Sequence, residues 1–424
     1  MTRPPILIVG LGVVGRAIAQ AHTKAKRSLT IADQSLAAVQ SCLGELQLDP
    51  TTWRVSEPQA DATELAMLDL VHRHGDDAPR CASANSPRLL IESIAERLQV
   101  KRDFFQQAER CLDQDWIFCS NTSTLRIADI AAALSNPSRL CGMHFFMPVA
   151  SREAVEVIPT DAMSEADLAA VTEHVRRLDR TPLIAADSPG FIVNRMLSPY
   201  LNEAMTLLAQ GATAEQIEQA ALRFGMPLSP LELIDLIGSR TMFDAGRVYW
   251  QSFPSRIDPS PMLPAMIKAG RGGRFGGGGF YNYPAAGRSA GLAAEADEIR
   301  DRYTRQTALN SDDEVRLRLS IPMWIEAALL LRERVAKSLD QVEIAMAGGL
   351  GYTPRGEWFR SFDALGSETI RAYLNDDQLN VDHPGDRPTH SKSLSAPLAL
   401  KELLAHHCPS DAITRFADLD AAST

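Results

Sequence analysis

The sequence predicts an α/β domain built on a doubly wound sheet, followed by an all-helical C-terminal domain that contains two related modules. Three observations lead to this prediction. Short apolar runs typical of buried parallel strands alternate with helical segments up to Asp187. Long helical patterns then take over from Ile192, and the strand-like runs stop. Within the helical part, one series of short motifs occurs twice in the same order.

The α/β domain opens with a strand–helix–strand unit. Residues 6–9 form a fully apolar run, a small-residue helix is predicted over 14–24, and a second strand over 29–32. Residues 35–85 are broken by three prolines and indicate mainly helices and loops. The remaining predicted elements are strands at 89–91, 116–119, 140–146 and 155–158 and helices at 98–111 and 127–134.

The domain organisation follows these changes in sequence pattern. The polar stretch before the second module and the proline-bearing tail are the least regular parts of the chain. The predicted parts are a first domain over 1–187, a first helical module over 188–284, a linker over 285–315, a second helical module over 316–372, and a tail over 373–424 with one helix near 398–406.

Two modules are predicted because four motifs recur in order. The series runs from a Glu-Ala motif at 202–204, through Gln-x-Glu and a glycine–proline turn, to Asp-x-x-Gly at 235–238. It runs again from 325–327 to 363–366. The alternative is chance similarity between amphipathic helices. The shared order and the nearly equal spacing favour duplication.

The composition is that of an ordinary globular protein, with 45% hydrophobic and 23% charged residues and a formal net charge of -10. The acidic balance argues against nucleic acid or an anionic membrane as the main partner. No uninterrupted apolar run reaches the roughly 18 residues of a membrane span, and no secretion signal is recognisable. The six cysteines form no CxxC pair and no Cys/His cluster. We therefore predict no metal site and expect a reducing, cytoplasmic location.

A glycine motif links the first strand to the first helix. Gly10, Gly12 and Gly15 form a GxGxxG pattern, and Asp33 stands at the end of the second strand. Gly10 permits the tight turn, Gly12 lets the backbone approach a pyrophosphate, and Gly15 lets helix and strand pack closely. The N–H groups at the start of the helix can then bind the phosphates. These features indicate a Rossmann-type dinucleotide-binding domain more strongly than the alternative, a glycine turn in a flavodoxin-like fold.

Asp33 also predicts which dinucleotide binds. Its carboxylate would accept hydrogen bonds from the adenosine ribose and would repel a 2′-phosphate. The residue after it is Gln34 rather than an arginine that could hold such a phosphate. NAD is therefore favoured over NADP as the cofactor.

Three polar stretches are candidates for a catalytic site. Ser123 closes a Ser-Asn-Thr-Ser motif after one strand, and His144 ends another strand, with Glu156 twelve residues later. Asn194 lies in a Pro-Gly-Phe segment at the predicted domain junction. Ligands of open α/β sheets bind beyond the carboxyl ends of the strands, which all three stretches could reach.

Oxidation of a hydroxyl group needs a base for its proton, and histidine has an unperturbed pKa of about 6.5. We expect His144 to be that base, Glu156 to fix its tautomer, and Ser123 and Asn194 to hold the substrate oxygen. Each residue alone has an ordinary explanation: a histidine packed against phenylalanines, a solvated glutamate, and two helix caps. The combination of the four residues is what indicates catalysis.

Together these motifs resemble the 3-hydroxyacyl-CoA dehydrogenase family over residues 5–284. The family's SNTS, HFFxP, LVEVI-like and PGFxVNR patterns stand at 120–123, 144–148, 154–158 and 189–195, with the family's 21 residues from serine to histidine and 12 from histidine to glutamate. The second module is similar to the extra module of the multifunctional α subunits of fatty acid oxidation. The hydratase domain that precedes the dehydrogenase in those subunits has no counterpart in these 424 residues.

The resemblance implies a reaction and further site residues. It implies that NAD oxidises an L-3-hydroxyacyl-CoA reversibly to a 3-ketoacyl-CoA, in fatty acid β-oxidation or related acyl-CoA metabolism. Glu96 and Lys101, in an IExxxExxxxK segment, are implied as residues on the cofactor side. A homodimer is expected by resemblance, or a monomer if the second module covers the surface by which single-module relatives pair.

The sequence departs from the family pattern at three places. Met147 replaces a polar residue in the histidine motif, and Arg274 opens a stretch that replaces a lysine–glycine pattern. No lysine occurs over 28–100, where some members hold the CoA phosphates, although arginines at 54, 73 and 80 could substitute. Two alternatives therefore stay open: a dehydrogenase of a non-CoA hydroxy acid such as a sugar acid, and a non-catalytic NAD-binding protein.

Overall fold

The chain divides into two compact units, Met1–Phe191 and Ile192–Thr424. This division falls four residues beyond the predicted boundary at Asp187, because Phe191 is fully buried and its ring centroid lies 6.1 Å from that of His144.

In the described part of the chain, no helix combines the length and apolar character needed to cross a membrane. The computed structural model describes residues 6–27, 29–46, 88–285, 287–304, 311–375 and 396–419.

Some sequence interpretations fall outside these described residues. They include the helices and loops expected over 47–85, the arginines at 54, 73 and 80, and most of the polar tail before residue 396. The remaining predictions about the fold can be compared with the structure element by element.

The described strands of the first unit form one sheet. They are β1 Ile6–Val9, β2 Thr30–Ala32, β3 Arg88–Glu92, β4 Trp116–Ser120, β5 Leu140–Phe145, β6 Ala154–Pro159 and β7 Thr181–Ile184. The sheet order is β2-β1-β3-β4-β5-β6-β7, and its neighbours are parallel except for the antiparallel pair β5 and β6. The predicted α/β fold class is confirmed.

Helices connect these strands. They are α1 Val13–Lys24, α2 Leu36–Glu45, α3 Leu98–Cys111, α4 Ile127–Ala131 and α5 Glu165–Arg176. Helix α3 has the predicted bounds, because Lys101, Phe104, Phe105 and Ala108 form one buried face at helical spacing. Helix α4 ends three residues before the predicted position 134, and the chain continues there as a turn.

The sequence analysis did not predict β7 or α5. In β7 only Leu183 is fully buried, and Pro182 interrupts any apolar run. An edge position in the sheet tolerates proline, because its backbone lacks a neighbour on one side. Helix α5 carries charged residues in both its first and its last turn, so its buried face is short.

Two histidines meet in the core between α1 and α5. The Nε2 atoms of His22 and His174 are 3.0 Å apart, and Nδ1 of His22 lies 2.8 Å from the carbonyl oxygen of Ile18. Because Nδ1 of His22 donates to that carbonyl, its Nε2 accepts the hydrogen of His174. Burial lowers the pKa of His22 to about 4. Burial, together with the charge of His22, also lowers the pKa of His174.

We therefore expect the protein to lose stability on acidification. Above about pH 6.5 both histidines are neutral whether the chain is folded or unfolded. Below it, the unfolded chain binds protons that the buried pair excludes, so the free energy of unfolding falls until the pH reaches the pKa of the folded pair. His22 alone should account for a loss of roughly 2 kcal/mol between about pH 7 and about pH 5. Urea unfolding at the two pH values measures this loss.

Matched variants separate the pair from other titrating groups. His22→Gln should remove a large part of this pH dependence, whereas His406→Gln, which replaces an exposed histidine, should preserve it. If His22→Gln retained the full pH dependence of the wild type, the buried pair would not be its source.

The second unit is helical in its described residues, apart from an isolated bridge between Gly273 and Gly278. Its helices are α6 Val193–Ala209, α7 Ala214–Phe224, α8 Pro230–Ile237, α9 Ser239–Ser252, α10 Met262–Lys268, α11 Ala294–Tyr303, α12 Asp312–Arg332, α13 Leu339–Ile344, α14 Trp358–Leu365, α15 Ser367–Asn375, α16 Leu398–Leu403 and α17 Pro409–Asp418.

Two buried ion pairs join the two helical modules, and each module contributes one arginine and one glutamate. Arg195 Nε of the first module donates to Glu326 Oε1 of the second at 2.5 Å, and Arg318 Nε of the second donates to Glu203 Oε1 of the first at 2.7 Å. In each module the arginine stands eight residues before the glutamate, with a proline midway inside the helix. Copies related by a twofold axis make contacts of this reciprocal kind, which supports the predicted duplication.

The C-terminal region differs from the prediction in its details. The second module begins with α12 and ends with α15, so it extends beyond 316–372 on both sides. The tail contains two helices, α16 and α17, where the sequence analysis predicts one near 398–406. Helix α17 forms because Pro409 is favourable at a first helical position and Ile413 and Phe416 are buried.

Candidate active site

The turn between β1 and α1 leaves space at one of its three glycines. A Cβ at Gly10, where φ is +88°, would lie 2.5 Å from Ser93 O, and a Cβ at Gly15 would lie 1.7 Å from Gly10 O. A Cβ at Gly12 would meet no described atom within 4 Å. Gly12 is the N-cap of α1, and no described side chain caps that helix. The turn is therefore an open cradle of N–H groups that suits a pyrophosphate.

Asp33 follows β2 and closes the same turn. Its Oδ2 accepts a hydrogen bond from Leu11 N at 2.6 Å, and its Oδ1 accepts one from Ser35 N at 2.8 Å. The carboxylate therefore stands beside the glycine motif, where this type of domain places the adenosine ribose. The geometry fits NAD, which Gly12, the start of α1 and Asp33 would hold.

We expect Asp33→Asn to weaken NADH binding by about 10–100-fold, because hydrogen bonds to a charged group contribute roughly 1.5–3 kcal/mol. NADPH binding should change little or improve, because the repulsion of a 2′-phosphate is lost. Fluorescence titration with both cofactors measures the two effects. An equal loss of affinity for both would indicate damage to the turn at Leu11 instead of lost ribose recognition.

A histidine and a glutamate pair across β5 and β6. The antiparallel register places His144 opposite Glu156. His144 Nδ1 lies 2.7 Å from Glu156 Oε2, and the glutamate is 0% exposed and the histidine 6%. A carboxylate at Nδ1 fixes the hydrogen there and leaves Nε2 to accept a proton. The contact expected between these two residues is confirmed.

Apolar side chains border His144. The ring of Phe146 packs edge-on at 4.9 Å between centroids, and that of Phe191 lies at 6.1 Å. Met147 follows Phe146 and is 43% exposed. The surface beside the histidine therefore offers a thioether, which is a weak hydrogen-bond acceptor, where the family pattern has a polar group.

Glu96 accepts hydrogen bonds from the Ser-Asn-Thr-Ser motif that follows β4 and from the threonine after it. Its Oε1 accepts hydrogen bonds from Thr122 Oγ1 at 2.6 Å, Ser123 N at 3.0 Å and Thr124 N at 3.1 Å. Burial acts to raise the pKa of Glu96, but the charge of Lys101 and these hydrogen bonds outweigh it, so the pKa lies below its usual value. Glu96 is thus a fixed anion that holds the backbone of Ser123 in place.

Lys101 lies behind Glu96, inside the protein. Its side chain is 1% exposed, and its Nζ pairs with Glu92 Oε1 at 2.6 Å and with Glu96 Oε2 at 3.3 Å. Burial alone would lower the pKa of Lys101, but the two carboxylates raise it. Lys101 therefore positions Glu96, and its predicted role on the cofactor side would act through that carboxylate.

Three structural residues of this region were not predicted. Glu92 is fully buried and anchors Lys101, and Asn121 Oδ1 accepts a hydrogen bond from Phe145 N at 2.8 Å, which joins β4 to β5. Asp187 accepts two backbone hydrogen bonds at the start of α4. The sequence alone could have indicated Glu92 as a site residue, because its carboxylate comes directly after an apolar strand run.

Asn194 belongs to the second unit. It lies in the first turn of α6, and Ser198 Oγ donates to its backbone oxygen at 2.8 Å. The first unit contains His144, Glu156 and Ser123, on β5, on β6 and directly after β4. The role of Asn194 toward a substrate stays a prediction from its motif.

Two family models match successive parts of the chain. The model described as 3-hydroxyacyl-CoA dehydrogenase, NAD binding domain, matches residues 5–188. The model described as 3-hydroxyacyl-CoA dehydrogenase, C-terminal domain, matches residues 190–283. Together they cover more than half of the chain, and the first of them indicates NAD.

Several solved structures share the fold. The (S)-3-hydroxybutyryl-CoA dehydrogenase from Ralstonia eutropha is 29% identical, with 67% of this chain and 100% of that chain covered and a TM-score of 0.55. The 3-hydroxybutyryl-CoA dehydrogenase from Escherichia coli K12 is 23% identical, with 92% and 97% covered and a TM-score of 0.67. The dehydrogenase part of multifunctional enzyme 1 from C. elegans is 21% identical, with 92% and 88% covered and a TM-score of 0.58.

Proposed function

Because this chain belongs to the 3-hydroxyacyl-CoA dehydrogenase family, we propose that it oxidises an L-3-hydroxyacyl-CoA reversibly to a 3-ketoacyl-CoA with NAD. The observation that carries the proposal is the buried contact of 2.7 Å between His144 Nδ1 and Glu156 Oε2. A histidine held in this way is the base that oxidation of a hydroxyl group needs. The open cradle at Gly12 and the carboxylate of Asp33 support NAD as the oxidant.

The reaction follows from the roles of four side chains. His144 Nε2 takes the proton of the 3-hydroxyl group. Glu156 holds the other ring nitrogen, and its negative charge stabilises the imidazolium that forms. Ser123 and Asn194 orient the substrate oxygen. NAD, when bound, supplies the two-electron oxidant. In the reverse direction the imidazolium returns its proton to the oxygen of the ketone.

The proposal includes a metabolic setting and an assembly state. The reaction belongs in fatty acid β-oxidation or related acyl-CoA metabolism. The chain acts as a monomer, because the contacts Arg195–Glu326 and Arg318–Glu203 already give each module a partner within the chain. Analytical ultracentrifugation tests this state, and a stable homodimer would contradict it.

The test of the activity is NADH consumption with acetoacetyl-CoA. We expect acetoacetyl-CoA to be reduced and free acetoacetate to react far more slowly, because it lacks the CoA part. Equal kcat/KM values for the two compounds would contradict CoA recognition. NADH binding without turnover of any 3-ketoacyl-CoA or hydroxy acid would instead show a non-catalytic NAD-binding protein.

A dehydrogenase of a non-CoA hydroxy acid, such as a sugar acid, is the second candidate. Two observations favour it: the half-exposed thioether of Met147 next to the histidine motif, and the absence of lysine over 28–100. This candidate predicts NAD reduction with free hydroxy acids at a higher kcat/KM than with hydroxyacyl-CoA esters. A direct comparison of the two substrate classes decides between the candidates.

A further inference from the structure

We propose that Arg152 and Arg180 form a subsite near His144 that binds an anionic group of the substrate, remote from the carbon that is oxidised. The proposal rests on the proposed function and adds a feature of the substrate to it. The anion is either a carboxylate at the end of the chain or a phosphate of the carrier. The planar guanidinium group of arginine suits both.

Both arginines contact the loop that joins β5 to β6. Arg152 Nε lies 3.4 Å from the carbonyl oxygen of Met147. Arg180 Nη2 donates to the carbonyl oxygen of Val149 at 3.0 Å. These two carbonyl groups belong to residues that are two positions apart in the chain. The two guanidinium groups therefore bring two positive charges to one short stretch of backbone.

These charges lack a counter-ion within the part of the chain that the structure describes. The contacts of both guanidinium groups are to backbone carbonyl oxygens, and Arg180 Nε is buried without a hydrogen-bond partner. Burial lowers the pKa of Arg152, and no neighbouring carboxylate offsets this effect. A partly desolvated cation without a counter-ion is costly, and a bound anion would reduce that cost. Both side chains are partly exposed, so an anion can reach them.

The subsite lies at the edge of the sheet where His144 is found. Strand β6 is antiparallel to β5, and β7 is parallel to β6, so the end of β5 and the starts of β6 and β7 share one edge. Arg152 lies two residues before β6, and Arg180 lies directly before β7. Met147 follows His144 by three residues, so their Cα atoms are at most about 11 Å apart. A substrate that reacts at His144 can span this distance.

The cofactor cradle lies on the other side of His144. The cradle follows β1, His144 belongs to β5, and Arg180 precedes β7. Neighbouring strands are about 4.8 Å apart, so about 14 Å separate β1 from β5 and about 10 Å separate β5 from β7. The anion at Arg152 and Arg180 therefore belongs to the substrate and not to the pyrophosphate of NAD.

The experiment compares three six-carbon substrates that share the same reacting end. They are 3-ketohexanoyl-pantetheine, which has no charge, the same ester with a terminal carboxylate, and 3-ketohexanoyl-CoA, which carries phosphates. In Arg152→Gln, kcat/KM for at least one of the two charged substrates should fall by about 10–100-fold, because hydrogen bonds to a charged group are lost. The value for the uncharged ester and the affinity for NADH should change little.

Three further variants make this result specific. Arg180→Gln should lower kcat/KM for the same charged substrate as Arg152→Gln does. Arg152→Lys keeps the positive charge and should recover part of the loss. Arg177→Gln replaces a half-exposed arginine that pairs with Glu173 at 2.9 Å, and it should leave all three values unchanged.

The charged substrate that loses kcat/KM identifies the anion as a carboxylate, a phosphate or either. An equal loss for all three substrates would show that Arg152 only supports the loop, and it would overturn the proposal. An unchanged kcat/KM for both charged substrates would also overturn it.

If the wild type reduces none of the three substrates, the proposed function fails separately. Calorimetric titration of the NADH-bound protein with glutarate and with inorganic pyrophosphate then decides about the subsite. Binding of either anion that weakens in Arg152→Gln would support the subsite. No binding to the wild type, or equal binding to both proteins, would reject it.

Discussion

Replacing His144 with glutamine is expected to lower kcat by about 10²–10⁴-fold and to keep NADH affinity within about twofold of the wild type. Glutamine retains polar contact with Glu156 but takes up no proton near neutral pH. The cofactor cradle at Gly12 and Asp33 lies on other elements of the sheet, so it should stay intact. Steady-state reduction of a 3-ketoacyl-CoA gives kcat, and fluorescence titration gives the NADH affinity.

Two further variants make this result specific. Glu156→Gln should cause a loss of the same order, because its amide can donate to Nδ1 of His144 and favour the tautomer whose Nε2 already carries the hydrogen. His406→Gln replaces an exposed histidine and should leave kcat unchanged. Turnover of His144→Gln within about tenfold of the wild type would remove His144 from the role of base.

The second large effect concerns stability. Glu326→Gln should reduce the free energy of unfolding by about 1.5–3 kcal/mol, because it removes a fully buried charge that accepts hydrogen bonds from Arg195, which keeps an ion pair with the one-third-exposed Glu333. Glu326 is 0% exposed, as is Arg195, whose Nε lies 2.5 Å from it. Tyr249 OH donates to Glu326 at 2.7 Å, and Arg256 Nη1 lies at 3.2 Å. Urea unfolding curves of the wild type and the variant give the difference.

The matched control is Asp312→Asn. Asp312 pairs with Arg223 at 3.4 Å, and the two side chains are 57% and 60% exposed. An exposed pair of this kind contributes at most about 1 kcal/mol, so the variant should be nearly as stable as the wild type. Equal stabilities of Glu326→Gln and Asp312→Asn would mean that the buried network does not hold the two modules together.

The sequence predicts the strands of the first unit best where an apolar run has clear ends. Strands β1, β4 and β5 lie within one residue of their predicted bounds. Strand β7 is different, because its position depends on pairing with β6, a long-range contact that leaves no apolar run around Pro182. Local pattern therefore predicts buried strands, whereas edge strands depend on their neighbours.

The candidate site shows the same division between local and long-range information. Family spacing predicts that His144 and Glu156 act together, and the antiparallel register of β5 and β6 explains why twelve residues of separation bring them into contact. Helical spacing places position 101 on the buried face of α3, but no local pattern explains why a lysine stands there. Its burial depends on Glu92 at the end of β3 and on Glu96, whose carboxylates compensate a charge that otherwise belongs at the surface.

The two helical modules share the reciprocal arginine–glutamate contacts but differ at neighbouring positions. At the position that corresponds to Asn194 the second copy carries Leu317, and at that of Ser198 it carries Ile321. An aliphatic side chain has no amide to offer a ketone oxygen, so the second module has the arginine–glutamate contacts but lacks the side chain that we propose to orient the substrate oxygen. In a symmetric pair of identical subunits, every substitution appears on both sides at once. Two modules within one polypeptide can change independently of each other. One module can therefore carry residues that bind the substrate, while the other contributes only to stability.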